Sequence, residues 1–424
     1  MWFLMPIRWL LIFWIFIISA ISFLDRVNIS IASGHIEKQF HLTDVQFGPV
    51  LSALLLGYAL FQAPAGRLAD RYGPRLIVAL GTAWWGVFTA LTALAPPGIP
   101  RAVLLLMAVR FCLGAGEAVM YPAANRLVAN WIPSTERGLA NGFIFAGVGA
   151  GAGVTPPLVT YIMSHYGWRA SFWASAAIGL AAGAVWYWVS RNRPEDHPWI
   201  TCEETTLIEQ GLPEPATELK IGKALPWRTI LASKDLVAVS LSYFAYGYAA
   251  WIFFAWFFRY LTKVRGLPEQ SGAYYSMLPF LSMAITSPLG GRISDILTSR
   301  YGKRAGRCGV AVTGMALAAI FIAFGPLVES PRLASLVLAG GAGALYLSQS
   351  CFWSVSADMG GASAGSVSGV MNMACQIGGI VTASLTPLIA QHFSWTTSFL
   401  VAAVLCAAGS LAWLAVDPEV ELGH

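Results

Sequence analysis

The sequence predicts an all-α membrane protein of twelve helices in two pseudo-repeats of six, and three observations lead to this prediction. Charged residues make up 11% of the chain and hydrophobic residues 57%, whereas soluble domains carry about 25% charged residues. The apolar residues come in blocks of about 18 or more, which is the length a helix needs to cross a bilayer. Two motifs also recur at nearly the same spacing along the chain.

The apolar blocks define the predicted membrane segments. Backbone polar groups find no water in lipid, so each block must be a helix or a strand of a closed barrel. Barrel strands alternate in polarity, and these blocks are continuously apolar, so helices are predicted. The segments are 9–31, 45–68, 75–95, 102–125, 138–163, 169–190, 236–261, 270–291, 307–327, 333–357, 363–390 and 395–416.

A long polar stretch divides the chain near its middle. Residues 191–235 include Arg and Lys residues and no apolar block, which indicates a cytoplasmic linker. It separates an amino-terminal half, 1–190, from a carboxy-terminal half, 236–424. Two repeats support the division, each pair occupying equivalent places in its half. They are Gly66-Arg67-Leu68-Ala69-Asp70 with Gly291-Arg292-Ile293-Ser294-Asp295, and Trp168-Arg169-Ala170-Ser171-Phe172 with Trp395-Thr396-Thr397-Ser398-Phe399. Internal duplication of this kind is typical of transporters.

The basic residues predict the orientation in the membrane. With the amino terminus in the cytoplasm, 17 of the 26 Lys and Arg residues fall on the cytoplasmic side and 7 on the other, while Arg26 and Arg110 lie inside helices. Cytoplasmic loops carry an excess of basic residues. Both termini are therefore expected in the cytoplasm.

Several other classes of protein are excluded by the sequence. The six cysteines form no C-x-x-C pair and lie mostly in apolar blocks, so neither a metal site nor a disulfide framework is predicted. The basic residues lie in short loops without a pattern that grips a phosphate backbone, which argues against nucleic acid. The G-x-S-x-G match at 361–365 lies between two membrane segments, whereas a hydrolase nucleophile needs a strand-to-helix turn. No nucleotide-binding loop is present, so we expect neither an enzyme nor a cofactor.

The loop after the second segment carries a family resemblance. Residues 66–75, Gly-Arg-Leu-Ala-Asp-Arg-Tyr-Gly-Pro-Arg, resemble the loop 2–3 signature of the major facilitator superfamily. The resemblance implies the major facilitator fold and a cytoplasmic latch of Asp and Arg that opens as the halves rock. A plain positive-inside anchor is the alternative interpretation. The latch residues so implied are Gly66, Asp70, Arg71, Arg75, Asp295 and Arg304.

A narrower resemblance covers nearly the whole chain and is strongest over 20–140. It rests on Phe23-Leu24-Asp25-Arg26-Val27-Asn28 in the first segment, and on Arg110-Phe111, Gly114, Gly116-Glu117 and Tyr121-Pro122 in the fourth. These motifs are similar to those of the anion:cation symporter family. That family includes bacterial hexuronate, galactonate and glucarate carriers, and sialin and the vesicular glutamate transporters.

Four ionisable residues inside the first and fourth segments need a physical reason, because each costs at least about 2.5 kcal/mol to insert. Arg110 and Glu117 are seven residues apart and share one helical face. A guanidinium matches a carboxylate in two-point contact, which makes Arg26 and Arg110 candidate substrate anchors. Asp25 and Glu117 are candidate proton carriers, as the resemblance also implies. A static salt-bridge network between the two helices is the alternative.

The resemblance implies further substrate contacts. It places Tyr58 of the second segment and Asn372 of the eleventh at the substrate. Ser350 and Trp353 are one turn apart in the tenth segment and could supply a hydroxyl and an aromatic wall. Helix packing is the alternative for each of them. The fifth segment departs from many relatives, because its run 147–153 has glycines and no Gln.

The expected function is therefore proton-coupled symport of a small organic acid anion by alternating access. A sugar acid such as a hexuronate or aldonate is favoured, followed by an aromatic or dicarboxylic acid. An uncoupled facilitator, an antiporter and a non-transporting sensor of the same fold are alternatives. We expect a monomer in the plasma membrane (the inner membrane of a bacterium), whose partners are the lipid bilayer, protons and the anion.

Overall fold

The computed structural model describes residues 5–40, 44–96, 102–212, 225–257 and 260–422. All regular elements in these ranges are helical. The α-helices are α1 (Ile7–Phe40), α2 (Asp44–Tyr72), α3 (Pro74–Leu94), α4 (Ala102–Glu117), α5 (Met120–Trp131), α6 (Arg137–Tyr166), α7 (Trp168–Val189), α8 (Cys202–Gly211), α9 (Trp227–Leu231), α10 (Lys234–Ala255), α11 (Glu269–Tyr301), α12 (Val310–Phe324), α13 (Pro331–Gly360), α14 (Ala364–His392) and α15 (Trp395–Ala412).

The predicted twelve membrane helices are confirmed, with α4 and α5 forming one segment. In the described ranges, nine stretches are long and apolar enough to cross a membrane, and one of them, Pro331–His392, contains both α13 and α14. The helices α2 and α11 complete the set. They are more polar than the rest, and each contains two prolines.

Several helices extend beyond the apolar blocks that predicted them. The first segment was expected to end at residue 31, but α1 continues to Phe40. The seventh ends earlier than expected, at Ala255, and a π-helical turn follows at Tyr260–Val264. A helix satisfies its own backbone groups, so it ends where its capping or packing changes and not where its apolar residues stop.

The fourth segment continues to Trp131, past the predicted residue 125, and is interrupted just after Glu117. The α-helical bonds continue on either side, from Ala118 N to Gly114 O (3.0 Å) and from Ala123 N to Val119 O (3.0 Å). Pro122 has no N–H, so the carbonyl of Ala118 lacks its usual helical donor. The carboxylate of Glu117 therefore sits at a break in a membrane helix.

Two pairs of helices join the parts of the chain before and after the linker: α2 packs on α14, and α6 packs on α11. Small residues allow the close approach. A Cβ atom on Gly66 would lie 1.9 Å from the carbonyl oxygen of Gly365, and one on Gly142 would lie 2.6 Å from that of Ser287.

The glycines of the fifth segment are used for helix packing. Cβ atoms on Gly147 and Gly151 of α6 would lie 2.6 Å from Phe16 O and 2.3 Å from Ala20 O of α1. Gly149, on another face of α6, lies against Phe280 of α11 in the same way. The run of glycines thus lets α6 contact helices on two sides.

The linker helix α8 is anchored to the beginning of α1. The Glu204 carboxylate accepts hydrogen bonds from the backbone N–H groups of Ile7 (2.9 Å) and Arg8 (3.0 Å). Arg8 also forms ion pairs with Glu204 and Glu136 at 3.2 and 3.1 Å. The end of the helical bundle that carries α8 is called the linker end below.

Candidate functional site

The four charged residues of the first and fourth segments lie together inside the amino-terminal half. Asp25 and Arg26 project from the middle of α1, while Arg110 and Glu117 project from α4. Each of these side chains is at least nine-tenths buried. Two acidic and two basic groups give the cluster a formal charge of zero.

The direct ion pair of the cluster joins Arg26 to Glu117. The Nε–H of Arg26 donates to Glu117 Oε2 at 2.6 Å. The guanidinium also lies over the rings of Tyr58 and Phe23, 4.2 and 4.9 Å from their centroids. The Nη2 of Arg26, the Oε1 of Glu117 and the hydroxyl of Tyr58 are buried and have no hydrogen-bond partner among the described residues. These groups remain available to a ligand.

Asp25 and Arg110 form the second part of the cluster. The carboxylate of Asp25 is an electrostatic neighbour of Arg110 and Glu117, and it faces the hydroxyls of Thr89 on α3 and Ser175 on α7. Within the described part of the chain, neither Asp25 oxygen has a hydrogen bond of good geometry, and the Nε of Arg110 also lacks a partner. The cluster therefore holds two guanidinium groups with unused donors.

An aromatic wall from the carboxy-terminal half approaches the cluster. The ring of Trp353 on α13 lies 5.1 Å from that of Phe145 and 5.8 Å from that of Tyr121, which is an electrostatic neighbour of Arg26. The indole Nε1–H of Trp353 donates to the Tyr243 hydroxyl at 2.8 Å, and so does the Nε2–H of Gln349. Two hydrogen bonds to one hydroxyl hold this wall in place.

Asn372 and Ser350 occupy different surroundings. The Asn372 amide donates to Gln62 Oε1 at 2.9 Å, and Gln62 lies one helical turn after Tyr58 on α2. Asn372 is thus connected to the Arg26 side of the cluster. Ser350 is buried and its hydroxyl has no partner in the described ranges, and no described contact links it to the cluster.

Several residues around the cluster were not singled out from the sequence as site residues. Gln62 and Gln349 carried a usable signal, because an amide inside an apolar helix is costly without a partner. The polar groups of Thr89, Ser175, Tyr121 and Tyr243 carried no such signal, since hydroxyls are common in membrane helices. Their roles depend on which helices pack together.

At the linker end, two acidic residues join the halves by the same geometry. Asp70, at the end of α2, accepts hydrogen bonds from the backbone N–H groups of Gly365 (2.9 Å) and Ser366 (2.7 Å), in the first turn of α14. Asp295, near the end of α11, accepts from those of Gly138 (2.9 Å) and Leu139 (2.7 Å), in the first turn of α6. Carboxylates are favourable at helix amino termini, where N–H groups lack intrahelical partners.

Arginines from both halves complete these contacts. Arg126 donates to the carbonyl of Gly361 at 2.6 Å and lies 3.8 Å from Asp70. Arg307 donates to the carbonyl of Ser134 at 2.6 Å and to Asp295 at 2.6 Å. Arg137 forms an ion pair with Asp358 across the two halves. These arginines were not among the latch residues expected from the sequence.

The three arginines expected in the latch lie elsewhere. Arg75 donates to the carbonyl of Tyr187 at 3.0 Å, within the amino-terminal half. Arg71 is exposed and lies over the ring of Tyr72, and Arg304 is exposed and reaches the carbonyl of Leu414 at 3.5 Å. None of these described contacts joins the two halves.

Comparisons with known proteins agree with this architecture. The model of the Major Facilitator Superfamily matches residues 15–383. The chain is 32% identical over 400 residues to a probable sulfoacetate transporter of Cupriavidus necator, covering 94% of this chain and 91% of that protein. It is 30% identical over 406 residues to the hexuronate transporter of Bacillus subtilis, covering 95% and 92%.

Two further similarities extend the picture. A probable L-galactonate transporter of Escherichia coli is 28% identical over 408 residues, covering 94% of this chain and 87% of that protein. Among solved structures, a proton:xylose symporter bound to 6-bromo-6-deoxy-D-glucose superposes with a TM-score of 0.71 at 15% identity, covering 94% of each chain.

The family match covers most of the chain, and the similar proteins are transporters rather than enzymes. The helices, their pairing and the motifs of the first and fourth segments agree with it. This chain is an integral membrane protein of the Major Facilitator Superfamily, related to its carriers of the anion:cation symporter type.

Proposed function

We propose that this protein is a proton-coupled symporter that takes up a small organic acid anion by alternating access. The observation that carries the proposal is the buried ion pair of Arg26 and Glu117, with Asp25 and Arg110 beside it. The related transporters of sulfoacetate, hexuronate and L-galactonate all act on organic anions, by their names. The same substrate class suits two arginines with unused donors.

The ion pair suggests how anion and proton are coupled. A substrate carboxylate that takes the guanidinium of Arg26 competes with Glu117 for the same donors. Glu117 would then be a buried carboxylate without a partner, which is strongly unfavourable. Taking up a proton removes that cost. The anion therefore favours protonation of the cluster, and the neutral loaded site can cross between the two states.

A sugar acid is the favoured substrate. Beyond the arginines, the unpartnered hydroxyl of Tyr58 and the amides of Gln62 and Asn372 could bind hydroxyl groups. Trp353 would form an apolar wall on the opposite side. Sulfoacetate, the substrate in the name of the 32% identical relative, is smaller and has two anionic groups, so it belongs in the same test.

The contacts at the linker end would form one gate of the cycle. We place this end in the cytoplasm, from the distribution of basic residues. Asp70 and Asp295 are bound to the opposite halves, and in this proposal these bonds would close the cytoplasmic side. Breaking these bonds would release the bound anion and proton into the cytoplasm. The carrier would lie in the plasma membrane and act as a monomer.

Binding of the anion is tested by thermal shift of the purified protein against hexuronates, aldonates, sulfoacetate and aromatic acids. We expect stabilisation by one class, lost in Arg110→Ala and kept in Arg71→Ala, whose side chain is exposed. Absence of a shift with every carboxylate and sulfonate would contradict the organic-anion proposal.

Coupling is tested by uptake into proteoliposomes with an inward proton gradient. We expect accumulation that a protonophore abolishes, and that Glu117→Gln loses while it still exchanges substrate across the membrane. Accumulation unaffected by the protonophore, or retained in Glu117→Gln, would favour the uncoupled facilitator or the antiporter.

A further inference from the structure

Asp25 faces the interior of the amino-terminal half. Its described neighbours are Thr89 on α3, Arg110 and Glu117 on α4, and Ser175 on α7. All of them precede the linker, and none belongs to the carboxy-terminal half. The adjacent Arg26 points instead towards Tyr58 and Glu117. The two residues of one motif thus have different surroundings, with Glu117 as a shared neighbour.

The surroundings of Asp25 contain polar atoms that the protein leaves unsatisfied. The hydroxyls of Thr89 and Ser175 face the Asp25 carboxylate, but both Asp25 oxygens and the Thr89 hydroxyl are buried without a hydrogen bond of good geometry to a described residue, and so is the indole Nε1–H of Trp85. Trp85 and Thr89 are one turn apart on α3, and Trp85 Nε1 lies against Gly179, one turn from Ser175 on α7. Buried polar groups normally have partners, so this set requires an explanation.

A chain of hydrogen bonds leads from the surroundings of Asp25 towards the end of the helical bundle that lies opposite the linker end. Asn28 Nδ2–H donates to Ser175 Oγ at 3.1 Å, and Ser171 Oγ–H donates to Asn28 Oδ1 at 2.8 Å. Ser171 also contacts the carbonyl of Trp168, at the start of α7. Asn28, Ser171 and Ser175 are buried. Ser171 belongs to the repeated Trp168–Phe172 motif, which the substrate site does not use.

We propose that these residues form a hydrated pocket that delivers protons to Asp25 through the amino-terminal half, separately from the route of the anion between the halves. This inference rests on the proposed proton coupling and names the route to one of its acids. The proton would pass from water at the far end, along water molecules held by Ser171, Asn28, Ser175 and Thr89, to a carboxylate oxygen of Asp25. Each step breaks one O–H bond and forms the next, and no other covalent bond changes.

Water fits the unsatisfied atoms better than a metal cation does. Trp85 Nε1–H and Arg110 Nε–H can only donate, whereas the oxygens of ionised Asp25 can only accept. Water molecules can accept from such donors and donate to such acceptors, and buried waters make about three hydrogen bonds. A metal cation cannot accept a hydrogen bond and would be repelled by the nearby guanidinium of Arg110.

The test compares Thr89→Val with Thr92→Val in proteoliposomes. Valine keeps the shape of threonine and removes the hydroxyl, and both threonines are buried on α3. The Thr92 hydroxyl donates to its own helix, at Phe88 O (3.0 Å). Two rates are measured for each variant: uptake driven by a proton gradient, and exchange of substrate at equal pH on both sides, which needs no net proton movement.

We expect Thr89→Val to slow proton-driven uptake by about tenfold, because the pocket loses the hydroxyl that would hold water beside the charged Asp25. Exchange should stay within about twofold, because the anion sites are untouched. Thr89→Ser, which restores a hydroxyl, should recover uptake, and Thr92→Val should behave as the unchanged protein.

Three results would overturn the pocket: unchanged proton-driven uptake in Thr89→Val, an equal loss in Thr92→Val, or an equal loss of uptake and exchange in Thr89→Val. Asp25→Asn separates this failure from failure of the proposed function. If Asp25→Asn still accumulates substrate on a proton gradient, coupling through Asp25 is wrong. If Asp25→Asn loses accumulation and Thr89→Val does not, only the pocket is wrong.

Discussion

At the scale of single residues, the main feature of the charged cluster is the ion pair that Glu117 forms. Glu117 shares a helical face with Arg110, but its hydrogen bond comes from Arg26, 91 residues away on another helix. Arg26 is held by Glu117 on one side and by the ring of Tyr58 on another. In the proposed function, its planar group is thereby oriented for a second planar anion, which a flexible ammonium could not match.

Arg26→Lys tests this orientation. We expect the apparent affinity for the anion to fall at least about tenfold, because lysine keeps the charge and loses the two-point contact. Binding is measured by titration calorimetry of purified protein. Arg71→Lys, at an exposed position, is the matched control and should bind as before. Equal affinity in Arg26→Lys would mean that the residue supplies only charge.

At the scale of helices, carboxylates bound to helix amino termini join the helices at the linker end. Asp70 of α2 binds the start of α14, and Asp295 of α11 binds the start of α6. The two sites occupy equivalent positions of the repeated Gly66–Asp70 motif, and each joins helices from opposite halves. An N–H group of a first helical turn has no bond of its own to lose, so such a contact can break and form during a cycle.

The contributions of Asp70 and Asp295 can be measured separately by amide hydrogen exchange. Asp70→Asn should raise amide exchange about tenfold at Gly365 and Ser366, since hydrogen bonds to charged groups contribute about 1.5–3 kcal/mol. Asp295→Asn should do the same at Gly138 and Leu139. Each variant serves as the other's control, because the affected peptides differ. Equal changes in both peptides for both variants would instead indicate general loosening of the fold.

Close helix packing beside this gate can be tested with a single methyl group. Gly66→Ala should destabilise the protein by about 1–3 kcal/mol, because its Cβ would meet the Gly365 carbonyl at 1.9 Å and push α2 from α14. Gly153→Ala is the control, since a Cβ there meets nothing within 4 Å. Thermal unfolding in detergent measures both. Similar melting temperatures would show that α2 and α14 can separate without cost.

At the scale of the whole molecule, the ion pairs and helix-end contacts lie at the linker end, while the charged cluster lies deeper between the helices. This arrangement suits a carrier whose halves pivot around a central site. The orientation in the membrane then determines the direction of transport, because in the proposed cycle substrate enters from the side opposite the gate at the linker end. The linker helix α8 offers a direct way to measure it.

Cys202, at the start of α8, is exposed, whereas Cys308, Cys351, Cys375 and Cys406 are buried. With the linker in the cytoplasm, a membrane-impermeant maleimide should label Cys202 only after the cells are permeabilised. A Cys202→Ser variant should remove that labelling. The labelling that remains in this variant measures the contribution of Cys112, which is partly exposed. Labelling of Cys202 in intact cells would reverse the orientation and the direction of the proposed gate.

The sequence by itself determined the twelve helices and the four buried charges, because both follow from local composition. Long apolar blocks must become helices in lipid, and a charge within such a block stands out through its cost. The repeats indicated equivalent positions in two halves. The resemblance pointed to Tyr58 and Asn372, which the structure places beside Gln62 on the Arg26 side of the cluster.

Only the tertiary structure decided which of these residues meet. It pairs Glu117 with Arg26, and it places Thr89 and Ser175 beside Asp25. The two halves are joined by three arginines other than those expected from the sequence, namely Arg126, Arg137 and Arg307 instead of Arg71, Arg75 and Arg304. The partners in these contacts lie on different helices, most of them far apart in the chain. Their meeting depends on how helices pack and rotate, which small residues such as Gly66 and Gly149 control through close approach.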